Sequence, residues 1–208
     1  MKKVLLFVAA AALVSGTMVS CGKSTKGKMD GAWTVGTMTQ TSTNSSGGSS
    51  STEVMTIDGT TVTQSSTSGG STNTQTGTVN EASWTIKKDG TWERTINMTF
   101  AGTGYSNTMI MTSSGNWDFA AGVGEFKKNE RVIFSTLSDT QTQSSTIGGS
   151  TTTSTSTSTY LDGEQAETYT ITESKGKSLK MESKGSNTYS SGGSSSTETR
   201  DMTVEMSL

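Results

Sequence analysis

The chemistry open to this chain is narrowed first by what it lacks. It has no histidine and a single cysteine, Cys21. Without imidazole there is no Ser-His-Asp catalysis, no His general base and no His-ligated zinc site. Carboxylates remain. Glu81 with Glu93, or Asp118 with Glu125, would form an acid and base pair only if a barrel mouth brought them face to face. Carboxylates so placed are far more often solvated strand charges, and no Asp-x-Asp-x-Asp run offers a calcium loop. The residue types therefore point away from an enzyme, and no cofactor or metal is expected. What is left is apolar and adaptable: four tryptophans, Trp33, Trp84, Trp92 and Trp117, and eleven methionines. Ligand pockets are lined mainly by such side chains, so the tryptophans with Met98 and Met111 are the candidate ligand-binding residues. The competing reading makes them ordinary core.

Cys21 stands where a leader ends. Lys2 and Lys3 give a positive start, Val4 to Val14 is an almost unbroken apolar run, and Ser15 to Ser20 is small and weakly polar. That is the layout of a secretory signal peptide, expected as a helix over residues 1–20. Eleven residues make a helix of about 16 Å, too short for about 30 Å of hydrocarbon. Met18-Val19-Ser20-Cys21 resembles the lipobox of bacterial lipoproteins, which implies lipidation of Cys21 and a membrane as partner. Gly22 after the cysteine implies sorting within the cell envelope to the outer membrane. Lipidation also accounts for a lone thiol in an oxidising compartment. Residues 21–30 then read as a tether, whose Lys23, Lys26 and Lys28 would lie near anionic head groups or simply in solvent.

With Lys2 and Lys3 gone, the net charge is about −4, and no basic cluster exceeds those three lysines, which argues against nucleic acid as a partner. Hydrophobic residues are only 29% and proline is absent. Such a composition suggests disorder or a stalk, except that mucin-like stalks are rich in proline and the apolar residues here alternate.

That alternation defines the elements that must position the candidates. Trp92, Ile96, Met98 and Phe100 share one face of a period-two pattern, with Arg94 the one exception, as do Met202, Val204, Met206 and Leu208. The intervening residues are mostly threonine, which is β-branched and favours strands. Asp58-Gly59, Asp89-Gly90 and Asp162-Gly163 read as hairpin turns. Gly-Gly pairs beginning at Gly47, Gly69, Gly148 and Gly192 read as the tips of four long Ser/Thr-rich hairpins. Residues 31–208 are thus expected to form one all-β, antiparallel domain.

Gly31-Ala32-Trp33, the stretch SWTIKKDGTWERTINMTF from Ser83, SSGNWDF from Ser113 and ETYTITESKGKSLKME from Glu167 together resemble the lipocalin-like domain of bacterial lipoproteins. The resemblance implies a meander barrel of about 8 to 10 strands. It also implies a cavity for a small hydrophobic ligand, and a basic residue of the last strand, here Arg200, packed over Trp33. The expectation is a monomeric, lipid-anchored barrel that binds or carries such a ligand. A structural or adhesive surface protein acting through its threonine-rich hairpins is the alternative.

Overall fold

The computed structural model describes residues 25–120, 130–191 and 194–208. The leader, Cys21, Glu125 and the Gly192-Gly193 tip lie outside the described residues. A short helix α1 (Thr25–Met29) leads into β1 (Gly31–Ser46), β2 (Ser49–Asp58), β3 (Thr61–Ser68), β4 (Ser71–Ile86), β5 (Thr91–Gly102) and β6 (Tyr105–Ala120). The chain continues through β7 (Arg131–Ile147), β8 (Ser150–Thr159), β9 (Ala166–Lys175), β10 (Ser178–Ser191) and β11 (Ser194–Ser207). Each strand pairs antiparallel with its neighbour in sequence, apart from β8 with β9, and β1 with β11 closes the ring. The result is the expected antiparallel meander barrel, of ten strands.

Its two ends differ. At one end Gly31–Thr34 of β1 pair directly with Ile86–Ser83 of β4, so eight strands enclose the core. Farther up, the β2–β3 hairpin is wedged between β1 and β4, and the ring widens to ten. The fork is held by the turn itself: Gly59 N–H donates to the Gly36 carbonyl and Val79 N–H to the Thr60 carbonyl, both at 2.8 Å. Register breaks at Val35/Thr37 and Val79/Glu81 sit at the same level. Bulges bend a strand, and these two let β1 and β4 part.

The side chains follow a simple code. On β8, Thr153, Thr155 and Thr157 face outward and pair with Ser144, Thr142 and Thr140 of β7 at 2.9–3.1 Å. Ser156 and Ser158 face the lumen. The lower halves of the strands replace lumen-facing serine and glutamine by apolar residues, and there the core sits. The long hairpins expected from the composition are ordered: at Gly47-Gly48, Gly69-Gly70 and Gly148-Gly149 both glycines have φ between 55° and 83°. A two-residue turn that matches the strand twist needs positive φ at both positions, which glycine adopts without strain.

One expected turn behaves otherwise. Asp162-Gly163 does not reverse the chain but lies in the loop between β8 and β9, which run in the same direction beside β7. β7 pairs with β9 through Arg131–Ser135 and with β8 through Ser138–Ile147, so β8 and β9 are one interrupted strand. β10 pairs with β9 only from Ser178 to Ser183. Above Ser183, β10 keeps β11 alone as a partner and a seam separates it from β8.

Candidate functional site

The lower barrel is packed solid by aromatic rings. Trp84 is the centre, 5.9 Å from Trp92, 4.8 Å from Phe134 and 5.7 Å from Tyr169 between ring centroids. Such tilted and edge-on contacts each add about 0.5–1.5 kcal/mol beyond burial. Two indole N–H groups pin the bottom loops: Trp33 Nε1 donates to the Met29 carbonyl and Trp117 Nε1 to the Lys87 carbonyl, both at 2.7 Å. Trp92 Nε1 donates to the Ser135 carbonyl at 3.3 Å. Met29 is fully buried, so the last residues of the segment expected to be a tether are folded against the closed end, and Lys26 Nζ lies 5.9 Å over the Trp117 ring.

Above this core, where eight strands become ten, the lumen opens into a cavity of about 480 Å³. Its apolar lining is mostly methionine, Met55, Met98, Met109, Met111 and Met202, with Ile96 and Val54. Met98 and Met109 are direct cross-strand partners, and Met55 and Met202 flank Gln40. The remaining wall is polar, with Gln64, Gln141, Ser113 and Ser156 among its members. A second cavity of about 420 Å³ runs to the point above Ser183 where β10 parts from β9 and the seam begins, and shares Arg94, Asp139, Glu167 and Arg200 with the first. The lumen therefore has a side opening at the seam as well as a mouth at the hairpin tips.

The expected site residues divide cleanly. Met98 and Met111 face the cavity. Trp33, Trp84, Trp92 and Trp117 do not; they lie beneath it, each at most 7% exposed. This corrects the expectation that tryptophans line the pocket. They alternate correctly on their strands but fall below the fork, where inward means core.

Arg94 forms the boundary between the two regions. Its guanidinium lies 5.3 Å from the Trp84 ring centroid, and Nη2 donates to Ser113 Oγ at 3.2 Å. The arginine that broke the apolar pattern of β5 is thus the floor of the cavity. Arg200 does not pack over Trp33; it stands opposite Ser42 in register, nine residues up β1, and pairs with Glu198 at 3.2 Å. Tyr169 donates its hydroxyl to Glu167 Oε2 at 2.8 Å, with the Met202 sulfur 3.0 Å away. Burial first, and then the Glu167 charge, hold this phenol well above its ordinary pKa, with Arg94 and Arg200 acting the other way.

Of the carboxylate pairs considered for catalysis, Glu81 and Glu93 are not register partners, facing Asn97 and Thr85 instead, and Glu125, the partner considered for Asp118, lies outside the described residues. Glu81 accepts from Ser83 on the outer face, Asp118 accepts from the Phe119 N–H near the closed end, and neither lines a cavity. Among the described residues no three His, Cys, Asp or Glu side chains are grouped to hold a metal. Sequence reasoning passed over Asp139 and Glu167 as site residues, although both carry lumen-facing alternation on Thr-rich strands. No known protein family, curated protein or solved structure matches the chain.

Proposed function

We propose that this chain is a monomeric lipoprotein of the cell envelope, held at the outer membrane by lipid on Cys21, whose lipocalin-like barrel binds a small ligand rather than catalysing a reaction. The observation that carries the reading is the cavity at the widened half of the barrel, above a floor of Arg94 on Trp84. A core-filled barrel would need no widening; the inserted β2–β3 hairpin makes room. Five lining methionines, Met55 and Met202 on β2 and β11 and the others on β5 and β6, give flexible apolar surface, and the polar remainder shifts the ligand from purely hydrophobic to amphipathic. The helix α1 supports the anchor, because it delivers the N-terminal side of the chain to the closed end and leaves the mouth free.

Native mass spectrometry of the full chain extracted from bacterial membranes tests both parts. The expected spectrum carries a diacyl or triacyl mass on the Cys21 peptide and a small molecule released on unfolding. Cys21→Ser loses the acyl mass. A chain that is never acylated overturns the anchor, and a bare barrel that binds none of the envelope's small molecules overturns the ligand role.

A contact function on the outer surface has its own support. Across β1 to β4 the outward positions of four successive registers are threonine, with only Val54, Ser65 and Asp58 as exceptions. The barrel curves this face, so it suits a flexible polymer such as a glycan better than a flat solid. Retention on a glycan column that survives Met111→Trp would favour this second reading.

A further inference from the structure

We propose that the lumen selects a small zwitterion, a molecule with a free carboxylate and a free ammonium joined by an apolar body; this rests on the ligand-binding reading above. The argument starts from one transverse row of the barrel. Trp84, Arg94, Ser113, Asp139 and Ser158 are successive register partners across β4 to β8. Arg94 and Asp139 are therefore two strand spacings apart, about 10 Å between Cα atoms. They do not close that distance. The guanidinium is drawn the other way, over Trp84, and its hydrogen bond goes to the intervening Ser113.

Of the other charges lining the cavities, Glu53 lines only the first and Lys184 only the second, and both are exposed. Glu167 accepts the Tyr169 hydroxyl, and Arg200 pairs with Glu198. Among the described residues Arg94 has no ion pair, and Asp139 has neither an ion pair nor a side-chain hydrogen bond, although both are half-buried and both line each cavity. A guanidinium presents five donors in a plane and binds carboxylate in a fork; one donor to Ser113 leaves the rest unused. Opposite charges held apart in a low-dielectric lumen are each matched at once by a ligand carrying both. Ile96 and Met98 on β5, paired with Met111 and Met109 on β6, stand above Arg94 and Ser113, where the apolar body would lie. A purely anionic ligand would meet Asp139 unpaired, and a cationic one would meet Arg94.

The test uses the dipeptide Leu-Leu with free ends, N-acetylated, C-amidated, and blocked at both ends, each titrated calorimetrically against the full lipidated chain in nanodiscs. The free dipeptide is expected to bind roughly ten-fold tighter than either singly blocked form, the size of one charge-assisted pair. Arg94→Gln should erase the preference for the free carboxylate only, Asp139→Asn the preference for the free ammonium only, and Arg94→Lys should retain the first. Circular dichroism establishes that each variant is folded. Four dipeptides that bind alike, or that fail to bind, overturn the inference. The native mass spectrum separates this from the broader reading: a co-purified ligand with no dipeptide selectivity removes the zwitterion alone, whereas a bare barrel removes both.

Discussion

The guanidinium of Arg94 rests 5.3 Å from the ring centroid of Trp84, its cross-strand partner, and so seals the aromatic core against the lumen. A cation over tryptophan contributes about 0.5–2 kcal/mol depending on how far it is desolvated. Arg94→Met keeps the length and loses both this contact and the bond to Ser113. The expected loss is about 1–2 kcal/mol in urea unfolding. An unchanged midpoint would mean that the stacking adds nothing.

Tyr169 supplies a pH dependence with a definite sign. Its folded pKa lies well above 10.0, so ionisation is deferred in the native state. The unfolded phenol titrates near 10. The stabilisation is complete below that value and is lost as pH rises from there towards the folded pKa, because the unfolded chain releases the proton first. Thermal midpoints should fall as pH rises past about 10, more gently for Tyr169→Phe. The tyrosinate absorbance rise of the folded protein should be the same with and without Tyr169.

Gly115 is fixed by close approach. A Cβ there would collide with the Ser135 carbonyl oxygen, at the register break between Ser114 and Gly115. The atoms it would meet, at Ser135 and Leu137, are all backbone of β7 and cannot yield cheaply. Gly115→Ala should cost more than about 3 kcal/mol in chemical denaturation, placing it in the tail of single substitutions. Tolerance of alanine would show that β6 and β7 can separate there.

Trp33 holds α1 through its bond to the Met29 carbonyl. Trp33→Phe removes that donor, leaves a buried carbonyl unpaired, and should cost about 1–3 kcal/mol. Tryptic cleavage after Lys26 and Lys28 should accelerate while cleavage within the barrel stays slow. Equal protection in both proteins would mean that the helix is secured by Met29 packing alone.

The period-two pattern made the strands of this barrel readable, down to the single discordant Arg94. Threonine outward with serine, glutamine or methionine inward is a strand signature even where no residue is strongly apolar. Height along the barrel was not readable. Whether an inward tryptophan meets core or cavity depends on the fork between β1 and β4, which the Val35/Thr37 and Val79/Glu81 bulges create, and a bulge leaves the residue types unchanged. Asp162-Gly163 failed for a related reason. A turn dipeptide records local φ, not whether the next segment returns along its predecessor or carries on beside the same neighbour.

The position of α1 has a geometric outcome of its own. β1 starts at the closed end and needs sixteen residues, about 50 Å of ribbon, to arrive at the first hairpin crest. Whatever grips the chain upstream of Thr25 would therefore hold the barrel upright like a cup on a stem. Its rim would stand several nanometres out from the gripping surface, within reach of molecules diffusing past rather than those embedded below.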